Sequence, residues 1–111
     1  LDIEAAGFDL PLFQAPAFGA RILEIQTGIK TQDRNEVATL LSKLLADTYS
    51  LYLKTHNYHW NVTGPLFAQL HLQFEGQYPE LFTTVDVIAE RTRAIGLPAP
   101  GTPSQLRKHT S

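Results

Sequence analysis

Two pairs of potential metal ligands stand in the second half of the sequence. His71 is followed four positions later by Glu75, and Asp86 is followed at the same spacing by Glu90. On an α-helix, residues four apart lie on one face about 6 Å apart along the axis, so each pair can supply two ligands to one ion. Imidazole and carboxylate ligands together suit iron, manganese or zinc rather than magnesium or calcium. The spacing therefore predicts metal binding by helices.

The two pairs cannot serve one ion within a single straight helix. At ~1.5 Å per residue, His71 and Asp86 are separated by roughly 22 Å along the axis, whereas the ligands of one ion lie ~2 Å from it. They can share a site if two copies of the helix pack antiparallel across a two-fold axis, because facing residues then have a constant index sum. Glu90 of one copy then faces His71 of the other, and Asp86 faces Glu75. Symmetry gives two such sites per dimer.

A first long helix is expected to begin at Asp33. Asp33 and Glu36 have the spacing of a capping box, with Asp in the place of Ser or Thr. One apolar stripe about 26 residues long follows at three-and-four spacing, and it must be buried against other helices. Its members are Val37, Leu40, Leu41, Leu44, Leu45, Thr48, Leu51, Tyr52, Thr55 and His59.

The break at Gly64-Pro65 predicts a turn, with Gly as the helix stop and Pro suited to the first turn of the next helix. The second helix is expected from about Leu66 to Ile95, ended by Gly96 and Pro98. Pro79 interrupts it, because a proline inside a helix costs roughly 3 kcal/mol and kinks the chain. The alternative is two shorter helices, 66–77 and 79–95.

The hairpin turn places His59 opposite His71. Five residues are therefore predicted to build each metal site: His59, His71 and Glu75 from one chain, and Asp86 and Glu90 from its partner. Asp86 and Glu90 taken alone are more typical of a solvated helix face. His56 and His109 are expected to be surface or satisfied core residues. The aromatic residues near the ligands are expected in the core or an interface rather than as redox partners: Trp60, Phe67, Phe74, Tyr78 and Phe82.

The flanking segments show no helical period. Residues 1–30 are broken by Gly and Pro and predict an extended, acidic arm. Residues 97–111 predict a loop with no further element, the start of a connection. The chain is thus divided into the arm, a helical hairpin over 31–96 that carries the ligands, and this loop. Because it contains no methionine, we expect it to be part of a longer gene product.

Composition limits the classes of function. The 111 residues allow one domain, and the 43 % apolar content is that of a globular protein. A net charge of −2 argues against a domain that neutralises phosphates, so DNA is not favoured as a partner. The absence of cysteine excludes disulfides and thiolate metal sites. No apolar run approaches the ~20 residues that span a bilayer. These features predict a cytoplasmic protein that does not enter the membrane.

The motif residues closely resemble one known family over about residues 33–96. The sequence HNYHWNVTGPLF continues to Leu70-His71 and Phe74-Glu75, and DVIAER follows at residues 86–91. This pattern is similar to that of the starvation-induced DNA-protection proteins, the Dps branch of the ferritin-like family. In that family the matching positions, His59, His71, Glu75, Asp86 and Glu90, form a ferroxidase site across a dimer interface.

The resemblance implies an all-α, ferritin-like helical bundle to which this chain supplies the N-terminal arm and the first helical hairpin. It implies a bacterial ferroxidase that oxidises Fe(II) with hydrogen peroxide or oxygen, stores the iron and protects DNA from oxidative damage. Two-fold dimers would assemble into a hollow dodecamer; nucleoid association is left open, since the acidic arm lacks a lysine-rich tail. The alternative is a non-enzymatic helical shell or DNA-compaction protein with a vestigial or structural zinc site. Two helices cannot bury both apolar stripes of a four-helix bundle by themselves.

Overall fold

The structure, a computed structural model, describes residues 26–111 and contains three helices in that range, without a strand. Helix α1 spans Thr31–Asn61, α2 spans Phe67–Ala94, and α3 spans Pro103–His109. Helices α1 and α2 pack side by side as an antiparallel hairpin, and α3 returns to pack on α1. The predicted all-α class is therefore confirmed. Most of the predicted extended arm, residues 1–25, lies outside the described residues.

The start of α1 differs from the prediction. The helix begins at Thr31, and its N-cap is Lys30, which makes no side-chain capping bond. The predicted capping box of Asp33 and Glu36 is therefore wrong. Asp33 lies inside the first turn instead, where a carboxylate interacts favourably with the positive end of the helix dipole.

The predicted stop at Gly96 is confirmed. Helix α1, however, already ends at Asn61 with Val62 as its C-cap, so Gly64 lies in the turn that follows, and Pro65 precedes α2 rather than lying in its first turn. Gly64 has φ +102° and Gly96 has φ +99°, a left-handed conformation that favours glycine over residues with a Cβ. The backbone N–H of Gly96 donates to the Arg93 carbonyl at 3.0 Å, and that of Leu97 donates to the Thr92 carbonyl at 3.3 Å. These bonds close the last turn of α2. The Gly64 turn fixes the antiparallel arrangement of α1 and α2.

Helix α2 continues through Pro79. Of the two predicted alternatives, the single helix is the one that forms, and the division into 66–77 and 79–95 does not occur. Proline has no N–H to donate to the Glu75 carbonyl. In the turn that follows Pro79, two threonine hydroxyls donate to backbone carbonyls four residues earlier. Thr83 donates to the Pro79 carbonyl at 3.0 Å, and Thr84 donates to the Glu80 carbonyl at 2.8 Å.

The core between the helices is small. Leu45, Ala46 and Thr92 are almost fully buried, and Thr92 satisfies its hydroxyl by donating to the Ile88 carbonyl at 3.0 Å. Much of the α1 stripe remains exposed in this single chain, including Leu40, Leu44 and Leu51. The hairpin therefore presents an apolar face that only further chain or another molecule can cover. None of the helices within residues 26–111 is long and apolar enough to cross a membrane.

The prediction that 97–111 forms a loop without further elements is wrong over residues 103–109, which form α3. Thr102 and Gln105 make a complete capping box: the Thr102 hydroxyl accepts from the Gln105 backbone N–H at 3.3 Å. In return, the Gln105 side chain accepts from the backbone N–H of Gly101 and of Thr102, at 2.9 and 3.2 Å. Pro103 begins the helix, where its missing N–H is not needed.

Candidate metal centre

His59 and His71 meet across the hairpin, as the position of the turn predicts. The Nδ1 atom of His59 lies 2.9 Å from the backbone carbonyl oxygen of His71. The reverse bond, from Nδ1 of His71 to the carbonyl oxygen of His59, measures 2.8 Å. The two rings are stacked, with centroids 3.8 Å apart and an interplanar angle of 20°. The pair thus ties α1 to α2 through two reciprocal hydrogen bonds.

These bonds determine which ring nitrogen is free. A carbonyl oxygen can only accept, so Nδ1 of each histidine must carry the hydrogen. In a neutral imidazole, Nε2 then holds the lone pair that binds a metal. A metal-ligating histidine usually donates its other ring N–H to a carbonyl or carboxylate, which fixes the tautomer and the orientation of the ring. Both histidines have the arrangement of preorganised Nε2 ligands.

The histidine pair is held from several sides. His59 is buried, with 7 % of its surface exposed, and His71 is half-buried. The ring of Phe67 stacks on His71 at 5.2 Å, and that of Tyr78 packs against His59 at 5.1 Å. Rings packed in this way have little rotamer freedom. Their ring geometry is therefore set before any ion arrives.

Among residues 26–111, the three predicted carboxylate ligands do not close a metal site with the histidine pair. Glu75, Asp86 and Glu90 are all exposed on α2. Within residues 26–111, no three ligand-type side chains of this chain converge closely enough to hold an ion. At 100° per residue, however, these carboxylates and His71 fall within about 100° of arc on one side of α2. The chain therefore assembles two imidazoles and presents three carboxylates on an outward-facing helix surface.

Large apolar side chains accompany these carboxylates. Phe82 projects from nearly the same side of α2 as His71 and is 58 % exposed, and Trp60 of α1 is 64 % exposed. Large exposed aromatic residues are typical of a surface that another protein molecule covers. This composition suits a second copy of α2 packed against the first.

An aromatic cluster next to the histidine pair was only partly anticipated. The ring of His56 lies 3.9 Å from that of Trp60 and stacks at 4.3 Å on Tyr78. His56 is half-buried and has the packing expected of a core histidine. Tyr52 joins the cluster through His56, at 5.5 Å, and through Tyr78, at 6.5 Å. The four-residue spacing of Tyr52, His56 and Trp60 along α1 was the signal in the sequence that could have shown them as one surface.

A second polar contact, far from the histidines, could not be anticipated from local patterns. The Asp47 carboxylate on α1 accepts from the Ser111 hydroxyl at 2.6 Å and from its backbone N–H at 2.8 Å. These two bonds hold the pKa of the Asp47 carboxyl below its usual range, the hydroxyl having the larger effect. They fasten the segment after α3 to α1. His109, at the end of α3, is half-buried and belongs to this region rather than to the metal ligands.

Comparisons with known proteins match this architecture. A family model described as a ferritin-like domain matches residues 38–111. The DNA protection during starvation protein of Brevibacillus brevis is 46 % identical over 68 residues, which cover 61 % of this chain and 46 % of that protein. A low temperature-induced protein of Nostoc sp. is 44 % identical over 72 residues, covering 65 % of this chain and 40 % of that protein. The chain thus spans less than half the length of these curated relatives.

Solved structures give the same result. A Dps protein from Bacillus brevis superposes with a TM-score of 0.70 and 40 % identity, covering 75 % of this chain and 56 % of that one. A Dps protein from Vibrio cholerae, described as a member of a broad superfamily of ferritin-like diiron-carboxylate proteins, superposes with a TM-score of 0.75 and 30 % identity. That match covers 82 % of this chain and 57 % of the other.

Proposed function

Because the chain belongs to the Dps family of ferritin-like proteins, we propose that it contributes to a ferroxidase that oxidises Fe(II) with hydrogen peroxide or oxygen. His59, His71 and Glu75 of one chain would bind the iron together with Asp86 and Glu90 of a partner chain. The oxidised iron would be stored in an oligomeric shell. Removal of Fe(II) and peroxide would protect DNA in the bacterial cytoplasm, in keeping with the names of several relatives.

The reciprocal hydrogen bonds of the histidine pair carry this proposal. They leave Nε2 of both imidazoles as the nitrogen available to a metal, at the positions where the family has ligands. The neutral imidazoles accept Fe(II), and carboxylates stabilise the Fe(III) product through their negative charge.

A shared site accounts for the position of the carboxylates. Glu75, Asp86 and Glu90 are exposed on the same side of α2 and lack a third ligand within their own chain, among the residues described. An antiparallel α2 of a second copy would bring Asp86 and Glu90 to the histidine pair and bury Phe82. Assembly of such dimers into a dodecamer is the quaternary structure that we propose.

Stopped-flow absorbance during addition of Fe(II) and peroxide to the assembled protein tests the activity. We expect Fe(III) to form faster than in buffer, and His71→Ala to abolish the acceleration. His109→Ala is the matched control, because His109 lies on α3 away from the proposed ligands, and it should oxidise iron like the unmodified protein. Oxidation no faster than in buffer would eliminate the ferroxidase.

A non-enzymatic shell with a structural zinc is the alternative, because the same imidazole and carboxylate donors also bind zinc. Metal analysis after purification distinguishes the two. Zinc that Fe(II) cannot displace would favour the structural role. DNA compaction without iron chemistry is a further alternative, and with a net charge of −2 we expect no gel shift of DNA at physiological salt.

A further inference from the structure

A heptad pattern runs along the exposed side of α2 and passes through two of the proposed metal ligands. Its positions follow one another at alternating three- and four-residue spacing, the repeat with which two helices pack along a shared seam. The members of this α2 seam are Leu72, Glu75, Pro79, Phe82, Asp86 and Ala89. Five of the six are exposed, and Ala89 is half-buried. In the part of the chain that the structure describes, the α2 seam is therefore largely uncovered.

The α2 seam is self-complementary in one antiparallel register. Its six members form three pairs, all centred on the point between residues 80 and 81: Leu72 with Ala89, Glu75 with Asp86, and Pro79 with Phe82. A two-fold axis at that point places each residue opposite its counterpart in a second copy of the chain. The proposed metal site requires the same register. The apolar positions of the seam therefore favour the arrangement that the ligands need.

The ligands by themselves oppose this register before a metal binds. Carboxylates are ionised near neutral pH, and the register places Glu75 of one copy opposite Asp86 of the other. Like charges that face each other across an interface are destabilising. Attraction between metal-free chains must therefore come from the apolar members of the seam. The apolar pair nearest the two-fold axis is Pro79 with Phe82.

Pro79 and Phe82 have complementary properties. Phe82 is 58 % exposed, and its ring lies 5.5 Å from that of Tyr52 on α1. Tyr52 thus supports one side of the ring, while much of its surface stays open to a partner. Pro79 is also exposed, and its rigid ring has no rotamer freedom to lose on burial. A proline inside a helix costs stability in the single chain, and packing of its ring on Phe82 of a second copy would offset that cost.

Resting on the proposed function, we propose that Pro79 and Phe82 are positioning residues that fix the register of the two-fold α2 pair. Phe82 of each copy packs on Pro79 of the other copy. This contact sets the register in which Asp86 and Glu90 reach the histidine pair of the partner chain. A slip of one heptad would move each carboxylate about 10 Å along the axis, too far to share an ion with the histidines.

Engineered disulfides report the register directly, because the chain contains no cysteine of its own. One variant carries both Leu72→Cys and Ala89→Cys. Within one chain these positions lie about 25 Å apart along α2, too far for a disulfide. In a glutathione redox buffer without metal, we expect covalent dimers in which position 72 of one copy is linked to position 89 of the other. Chains with only one of the two substitutions should give no covalent dimer, because the two cysteines of the pair are then equally far apart.

Variants of the central pair are compared in this two-cysteine background. Phe82→Ala and Pro79→Ala should each lower the fraction of disulfide-linked dimer severalfold. Pro79→Ala should at the same time raise the unfolding temperature of the reduced, dilute protein, because alanine restores the helical N–H donor. A loss of dimer together with a gain in stability cannot come from misfolding. Val87→Ala is the matched control: it shortens a side chain that is 55 % exposed on another side of α2, and it should leave the dimer fraction unchanged.

The disulfide measurements contain no iron, so they separate this inference from the proposed function. A dimer linked at other positions, or a dimer fraction that either Phe82→Ala or Pro79→Ala leaves unchanged, would overturn the role of the pair. Dimers that are linked as expected and respond to both variants would support it even if Fe(II) oxidation proved no faster than in buffer, and only the proposed function would then fail. Rapid Fe(II) oxidation by protein that never forms the link between positions 72 and 89 would overturn the register and leave the ferroxidase standing.

Discussion

His59 and His71 hold the hairpin together, and under the proposed function they have a second, separable role in binding iron. Nδ1 of each ring donates to the opposite backbone carbonyl, and Nε2 is left for the metal. A substitution that keeps the donor but removes Nε2 should therefore affect only the second role. Asparagine meets this requirement, because its amide nitrogen lies close to where Nδ1 of histidine would be.

We expect His59→Ala to destabilise the metal-free protein by about 1–3 kcal/mol, because the His71 carbonyl loses its donor in a part-buried position. His59→Asn should recover much of that loss, since the amide can still donate. Both variants should lose iron oxidation. Guanidinium unfolding and stopped-flow absorbance measure the two effects. Equal destabilisation by Ala and Asn would contradict the structural role, and activity in the Asn variant would remove His59 from the ligands.

Asp47 should make stability depend on pH. The bonds from Ser111 lower the pKa of its carboxyl in the folded state relative to the unfolded chain. A depressed carboxyl pKa adds stability above the unfolded value of about 3.9, and this stability is lost as pH falls through the lower folded pKa. Unmodified protein should thus be more stable than Asp47→Asn near neutral pH, with the difference shrinking below about pH 4. A difference that stays constant with pH in unfolding experiments would contradict this.

Helix α3 depends on its cap more than a long helix would. It has only seven residues, too few to be stable without packing and capping. Thr102→Ala removes the acceptor for the Gln105 N–H and should destabilise this helix by about 1 kcal/mol. Hydrogen exchange of residues 103–109 should then accelerate severalfold. Thr39→Ala, at an exposed threonine of α1, should leave α3 exchange unchanged; acceleration there as well would indicate a global effect.

The sequence predicts the long helices far better than α3. The turn at Gly64 and the stop at Gly96 follow from glycine's freedom to take positive φ, and the position of that turn dictates that His59 meets His71. By contrast, α3 lies in a segment rich in Pro and Gly. These residues are typical of loops, and they concealed the capping box formed by Thr102 and Gln105. At Asp33 the error was the reverse, because a capping box was inferred there and the helix begins two residues earlier, at Thr31.

The proposed metal site was predictable only as a set of residues. The Asp47 contact with Ser111 joins residues far apart in the chain, and no local period reveals such a contact. The carboxylates at positions 75, 86 and 90 were identified by their spacing and by the family resemblance, and in the proposed site their convergence with the histidines requires a second chain. No structure of a single chain can display a site of this kind. Whether the five residues act together is therefore a question about the assembly.

The assembly also provides the sharpest test of a shared site. One variant carries His59→Ala and His71→Ala, and a second carries Asp86→Ala and Glu90→Ala. Each alone should be inactive, because every site in its dimers lacks ligands. In a mixed dimer, one site lacks both sets of ligands. The other receives histidines from the second variant and carboxylates from the first, so it is complete.

If dimers form at random from an equal mixture, half of them are mixed and each has one complete site of two. Co-refolded material should therefore recover up to about a quarter of the unmodified Fe(II) oxidation rate. Mixing the two variants after assembly is the control and should give no recovery, because subunits cannot exchange their ligands once the dimers are closed. Sites built within single chains would give no recovery at any ratio, even after co-refolding. That outcome would reject the interface while leaving the five ligand assignments open to test one by one.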